Sequence, residues 1–229
     1  MNRFQIIIPT YKYQIYLNKC LESIENQEYP KELIVATVID DNSPEPLELL
    51  KTSYECKLLR NKERMYAGYN RYLVYSKCPD NDIIIFLDGD DWLADNKCLQ
   101  VINNVYNNNN IKWSISNHKL YQSNKLKVLP TFVNLPLQVD KPKICHLRCG
   151  YGYVWNKMKI DCIKLNNNQF IKWMTDWNEN LYALKYHGNP YKINSSLSVY
   201  NLDTTKTRKE NDNYKEMIIW FSNKYIKLV

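Results

Sequence analysis

Three short runs of β-branched and aliphatic residues, each cut off by proline or by acidic turn residues, constrain the fold of this chain more than any other feature. Phe4 to Ile8 is stopped by Pro9, Leu33 to Ile39 by Asp40-Asp41-Asn42-Ser43-Pro44, and Ile83 to Leu87 by Asp88-Gly89-Asp90-Asp91. Runs of this length and composition read as buried strands, and Cys56 to Leu59 reads as a shorter one. Between them apolar residues recur at helical spacing: Leu17, Cys20, Leu21 and Ile24 follow the first run, residues 65–77 precede the third, and Cys98, Leu99, Ile102, Val105 and Tyr106 follow it. Strands alternating with helices predict an α/β fold, Rossmann-like, with a mostly parallel central sheet covered on both faces. In such sheets ligands bind beyond the carboxyl ends of the strands, which is where both acidic clusters fall.

The second half is less regular. Trp113 to Leu120, Lys127 to Phe132 and Ser195 to Tyr200 suggest strands, Asp176 to Tyr186 a helix, and Tyr214 to Ile226 a terminal helix. A chain of 229 residues suits one well-packed domain, 1–229, with a division into halves at the Asn107 to Asn110 run. The net charge of +7 is scattered rather than gathered into a dense tract, so no nucleic-acid partner is expected. It suits an anionic substrate or weak attraction to an anionic membrane surface. Seven cysteines, an odd number without a CxxC pair, read as reduced thiols in a cytoplasmic protein. The start lacks the pattern of a signal peptide, and no apolar run approaches the roughly 20 residues of a transmembrane helix. Tyr214 to Val229, with Met217, Ile218, Trp220, Phe221 and Tyr225, reads either as a segment packed on the body of the chain or as a peripheral membrane contact.

A strand that delivers Asp88 and Asp90 into a loop places two carboxylates, one residue apart, where they can share a hard cation. A nucleotide diphosphate calls for such a cation, because breaking a sugar-phosphate bond leaves negative charge on the departing phosphate. Taken alone, Asp-x-Asp is also a common surface turn. The cluster at Asp40 and Asp41 likewise reads either as an Asx-type turn leaving a strand or as a carboxylate that accepts a hydrogen bond from a base or ribose. Two such clusters at successive strand ends favour function.

At this point the residues resemble a known family. Ile6-Ile7-Ile8-Pro9-Thr10-Tyr11, Ile39-Asp40-Asp41-Asn42-Ser43, Ala67-Gly68-Tyr69-Asn70 and Phe86-Leu87-Asp88-Gly89-Asp90-Asp91 follow the order and approximate spacing of family 2 glycosyltransferases with the GT-A fold, over residues 4 to about 106. In size and in its Asn/Tyr/Lys-rich style the chain is also similar to small glycosyltransferase domains of large algal DNA viruses. The resemblance implies a nucleotide-sugar-binding half at 1–106 and a smaller, irregular acceptor-binding half at 107–229. It places Pro9 and Tyr11 against the nucleobase, Asp41 as acceptor from a uracil ring, and Arg64 at the nucleotide, although Arg64 also reads as a solvated charge. Asp88 would lie near the ribose and, with Asp90, hold Mn²⁺ or Mg²⁺. Asp91 would be a neighbour in the sugar pocket or a cap for the following helix.

Inverting transfer needs a carboxylate that takes the proton of the acceptor hydroxyl. The stretch matching the family's acid pair is Trp173-Met174-Thr175-Asp176-Trp177-Asn178-Glu179, which implies Asp176 as general base and Glu179 as the alternative. Thr175 replaces the first acid, and Asp176 with Glu179 also reads as a capping box. Gly150 to Lys157 resembles the family's Trp-x-Lys region, which implies that Trp155 and Lys157, with Trp173 and Trp177, line the acceptor and sugar pocket; a buried aromatic core is the other reading. No histidine falls within Tyr200 to Thr207, where many relatives supply one to the metal, so the third ligand stays open, and His118, His146 and His187 receive no role.

The implied activity is metal-dependent transfer of a sugar from a UDP-sugar to a hydroxyl of a glycan, glycoprotein or lipid-linked acceptor. Two readings compete with it. A nucleotidyltransferase usually carries a Gly-rich phosphate loop near the first strand, which Pro9-Thr10-Tyr11-Lys12 is not. A noncatalytic nucleotide-sugar-binding module is kept open by Thr175.

Overall fold

The computed structural model describes residues 1–108, 110–123, 125–131, 147–165, 169–172 and 174–204. The first half alternates β1 (Phe4–Thr10), α1 (Gln14–Glu25), β2 (Ile34–Asp40), β3 (Glu55–Arg60), α2 (Tyr66–Tyr75) and β4 (Ile83–Phe86). A two-residue β5 (Trp92–Leu93) and α3 (Cys98–Asn108) lead into the second half. There β6 (Trp113–Gln122), β7 (Lys125–Thr131), β8 (Arg148–Tyr151), the single turn α4 (Gly152–Trp155), α5 (Thr175–His187) and β9 (Tyr191–Asn201) follow.

Side chains on successive strand positions point to opposite faces, and both faces here are covered. Phe4, Ile6 and Ile8 of β1 and Ile83 and Ile85 of β4 pack with Leu17, Cys20, Leu21 and Ile24 of α1 and with Leu99 and Ile102 of α3. Ile7 of β1 and Ile84 and Phe86 of β4 pack on the other side with Tyr75 of α2 and Trp177 and Leu181 of α5. Burial on both faces is why these strands read as continuous apolar runs rather than as alternations.

Among the described residues nine strands form one sheet in the order β3-β2-β1-β4-β8-β6-β9-β5, with β7 on the side of β6. β3, β2, β1 and β4 are mutually parallel, and the register sets Phe4 opposite both Ile34 and Ile83. Beyond β4 the sheet becomes mixed: β8 runs antiparallel to β4 and β6, β9 runs parallel to β6, and β5 pairs antiparallel with β9. The expected α/β architecture is present. β5, β8 and α4 are too short for sequence periodicity to mark them, and β9 begins earlier than its apolar pattern. The terminal helix expected at 214–226 lies outside the described residues, as do Trp173, Cys145 and His146.

The six described cysteines are free thiols. Burial pushes Cys78, Cys98 and Cys149 up to about 12, which keeps them protonated and inert at neutral pH. No helix among the described residues is long and apolar enough to cross a membrane.

The turn from β8 into α4 depends on close backbone approach. A Cβ on Gly152 would stand 2.0 Å from the Pro79 carbonyl oxygen, a backbone atom that no rotamer change can move. Gly152→Ala is therefore expected to destabilise the fold by about 2–3 kcal/mol, as overpacking does, and to lower the melting temperature by roughly 4–12 °C at this chain length. Calorimetric melting of the variant checks this; an unchanged melting temperature contradicts the contact.

Candidate active site

Parallel pairing brings the carboxyl ends of β1, β2 and β4 to one edge of the sheet, so both acidic clusters flank the end of β1. The Asp41 amide donates to the Thr10 carbonyl at 2.9 Å and the Gly89 amide donates to the Pro9 carbonyl at 3.0 Å. The chain leaves β1 between them through two consecutive left-handed residues, Lys12 (φ 67°) and Tyr13 (φ 60°), a costly conformation for non-glycine residues. The Lys12 amide is tied to Ser43 Oγ at 2.8 Å.

The two carboxylates after β2 do different work. Asp40 forms an Asx-type turn: its Oδ1 accepts from the Ser43 amide at 2.9 Å and its Oδ2 pairs with Arg60 at 2.5 Å. Asp41, also buried, faces the start of α2. Its Oδ1 accepts from the Met65 amide at 2.7 Å and from Asn61 Nδ2 at 2.9 Å, and its Oδ2 accepts from the Tyr66 amide at 2.9 Å. Asn61 is held in turn by Asn70 Oδ1 at 2.6 Å, which gives the buried Asn70 its place in the motif. Above Asp41, the Arg64 guanidinium lies 3.9 Å from the Tyr11 ring centroid and 4.9 Å from that of Tyr66, with its Nε 3.8 Å from Asp41 Oδ2. Tyr11, Asp41 and Arg64 thus gather on one side of the end of β1, whereas the Pro9 carbonyl is hydrogen-bonded to Gly89 on the other.

The acidic loop after β4 lies on that other side. Asp88, 40% exposed, accepts from Arg71 Nη2 at 2.7 Å. Asp90 Oδ2 accepts from Thr204 Oγ1 at 2.5 Å. Burial, then the charge of Asp88, pushes the Asp90 carboxyl above its ordinary value. Asp91 is buried, and its Oδ1 accepts from the Asn201 amide at 2.9 Å, fastening the loop to the end of β9. Burial and the charges of Asp90 and Asp88 push it up further still. Neither role expected of Asp91 is realised: it is 2% exposed and faces the end of β9, and α3 starts at Cys98, where the Lys97 amide is capped instead by Asp95 Oδ1 at 2.9 Å.

Asp176 stands in the first turn of α5, partly exposed, close enough for its charge to act on Arg71 and Glu179. Glu179, one turn on, is fully buried, and its Oε2 accepts from Arg148 Nη2 at 2.8 Å and Arg71 Nη1 at 3.4 Å. Burial pushes its carboxyl up while Arg71 and Arg148 pull it back; the two guanidiniums do not give up their protons, so it remains their counter-ion. Its complete burial keeps an acceptor hydroxyl from reaching it, which corrects its reading as an alternative base. The capping box does not form either, because the helix is preceded by Met174 in a left-handed conformation (φ 54°) with no side-chain cap bond.

The expected acceptor-pocket residues also need correction. Trp155 is fully buried, edge-on to Phe86 at 4.9 Å, and Trp177 is 2% exposed in the same cluster; both are core. Lys157 is exposed, but it stands 4.0 Å from Asp80, which precedes β4, whereas Asp88 follows it. It therefore lies at the wrong edge of the sheet. Arg71, Arg148 and Thr204 escaped the sequence reading; Thr204 falls in the stretch searched for a late histidine, and a hydroxyl carries no sequence signal as a ligand.

The donor set suits a hard cation completed by substrate. Magnesium is usually held by one or two carboxylates together with phosphate oxygens and water, and Asp88 and Asp90 crowd negative charge that a cation would offset. Among the described residues no three His, Cys, Asp or Glu side chains are grouped to hold a metal by themselves.

An α/β sheet with acidic loops at one edge is the GT-A architecture, and solved structures share it. Residues 1–349 of TarS from Staphylococcus aureus in complex with UDP-GlcNAc superpose with a TM-score of 0.64 at 13% identity, covering 91% of this chain and 61% of that one. The mannosyltransferase PcManGT of Pyrobaculum calidifontis, in complex with GDP-Man and Mn²⁺, gives 0.60 at 12% identity over 98% of this chain and 64% of that one. Residues 5–137 match the family described as Glycosyl transferase family 2, and the chain belongs to it. The minor teichoic acid biosynthesis protein GgaB of Bacillus subtilis is 30% identical over 104 residues, 44% of this chain and 12% of GgaB. The poly(ribitol-phosphate) beta-N-acetylglucosaminyltransferase TarS of Staphylococcus aureus is 28% identical over 97 residues, 41% of this chain and 17% of TarS. The matching stretch is thus a small part of either relative.

Proposed function

We propose that residues 1–229 form one catalytic domain that transfers a sugar, with inversion, from a UDP-sugar to a hydroxyl of a saccharide, glycoprotein or lipid-linked acceptor. Residues 1–106 would bind the donor and 107–229 the acceptor. The observation that carries this reading is the convergence of three groups at one sheet edge: Tyr11, Arg64 and Asp41 on one side of β1, Asp88 and Asp90 on the other, and Asp176 within electrostatic reach of Arg71, which pairs with Asp88. A uracil ring stacked on Tyr11 takes the face that Arg64 now covers and turns a ring N–H toward Asp41. Asp88 and Asp90 would hold Mn²⁺ or Mg²⁺, which when bound stabilises negative charge on the departing diphosphate. Asp176 takes the proton from the acceptor hydroxyl as it attacks the anomeric carbon. The net charge of +7 suits an acceptor that itself carries phosphate, such as the poly(ribitol-phosphate) in the name of TarS.

Calorimetry of UDP with Mn²⁺, followed by a screen of UDP-sugars for slow hydrolysis, tests the reading; absence of UDP binding overturns it. Metal binding has a second readout. A carboxyl whose folded pKa is raised contributes stability below its unfolded value and loses it as pH rises through the folded value. Asp90 and Asp91 are of this kind, so at neutral pH their cluster strains the metal-free fold. Mn²⁺ at 100 times its Kd is expected to add about 2.7 kcal/mol at pH 7.5, a rise of roughly 5–10 °C in melting temperature. The rise should shrink as pH falls toward the ordinary carboxylate range, because the raised carboxyls take up protons before an unperturbed one would. No rise at pH 7.5 contradicts the site.

A further inference from the structure

Beneath the acidic loop lies a charge that the sequence patterns did not mark. Arg71, on α2, is 3% exposed, and a guanidinium, which keeps its proton, is costly to bury without acceptors. It finds them on two other elements. Nη2 donates to Asp88 Oδ1 at 2.7 Å, while Nη1 donates to Thr175 Oγ1 at 2.9 Å and reaches Glu179 Oε2 at 3.4 Å. Burial works against the charge, but Asp88 and Glu179 outweigh it and hold Arg71 above its ordinary value. Arg148 on β8 shares the same Glu179 oxygen. Among the described residues two guanidiniums and two carboxylates are joined here, and of the four only Asp88 reaches the surface.

We infer that Arg71 is a positioning residue: one guanidinium ties the donor carboxylate Asp88 to the first turn of α5 and thereby sets where Asp176 stands. The inference rests on the glycosyltransferase reading above. The rigid, planar fork of arginine suits this task, because it can serve acceptors on two sides at once. It also accounts for the acid absent at 175. Glu179, four residues on and on the same helix face, supplies the buried counter-charge, so a neutral hydroxyl at Thr175 is enough to take the second donor. α2 and α5 are pressed together there: a Cβ on Gly68 would come within 2.7 Å of Thr175 Cγ2. A shift at Thr175 passes directly to its neighbour Asp176, and a donor that draws on Asp88 competes for the guanidinium that holds the helix.

The hydroxyl can be removed without touching the donor cleft. Thr175→Val is expected to lower kcat for transfer about tenfold, with donor KM and UDP affinity changed less than about twofold. Thr175→Ser, which keeps the acceptor oxygen, is expected to stay within about twofold of wild type. In the Asp88→Ala background, where no side-chain oxygen remains to accept from Arg71 and the tie is cut, Thr175→Val should cost less than about twofold more. Arg71→Lys, which keeps the charge but not the fork, should reproduce the Thr175→Val pattern. Valine and serine variants that behave alike, a loss in KM rather than kcat, or losses that multiply in the double variant each overturn the inference, provided melting shows the variants folded; should Thr175→Val not fold, Arg71→Lys decides alone. A wild-type chain that binds no UDP overturns the underlying reading, and the inference falls with it.

Discussion

Asp90→Ala is expected to abolish metal-dependent donor binding, lowering the affinity for UDP measured with Mn²⁺ by at least about 100-fold, or roughly 2.7 kcal/mol. Three carboxylates share the loop, but they are not equivalent. Asp91 is buried and spent on the Asn201 amide, and Asp88 is paired with Arg71. Asp90, joined to the hydroxyl of Thr204, carries a charge that burial and Asp88 both disfavour. A cation held there would relieve that cost and would supply positive charge to a bound diphosphate. Because the lost charge is one the metal-free fold disfavours, the variant should melt within a few degrees of wild type without metal. Titration calorimetry of Mn²⁺, and of UDP in its presence, checks the result. Unchanged affinity for both would remove Asp90 from the metal site.

How much of this was legible in the sequence follows from what each residue contacts. β1, β2 and β4 could be read because burial on both faces leaves an uninterrupted apolar run, and their carboxyl ends fixed the positions of Asp41 and Asp88 to Asp91. Burial itself could not be read. Trp155, Trp177 and Glu179 have the chemistry of a sugar site, yet the sheet and α5 close over them. Lys157 lies at the opposite edge because β8 runs antiparallel to β4, and that strand of four residues has no periodicity to announce it. Arg71 sits in a helix whose pattern explains its neighbours, so nothing local signals that its partners are 17, 104 and 108 residues away. Thr204 reaches Asp90 only because β9 brings the chain back beside the acidic loop.

Asp176→Asn is the change expected to separate chemistry from binding. The substitution keeps the shape of the side chain but removes its ability to accept a proton at working pH, so transfer should fall by about 10²- to 10⁴-fold while UDP affinity stays within about twofold. The geometry gives this variant a natural partner. Glu179 lies three residues on in the same helix, but it is wholly buried between Arg71 and Arg148. Glu179→Gln removes the buried carboxylate that Arg71 and Arg148 share, and breaking a buried pair in this way costs about 3–5 kcal/mol, or roughly 6–20 °C in melting temperature for a chain of this size. One acid should thus be lost in rate with the fold intact, the other in stability. Single-turnover transfer and calorimetric melting on the same two preparations measure both quantities. Near-normal transfer by Asp176→Asn would take the proton-accepting role away from α5 altogether, because the only other carboxylate on that helix is fully buried.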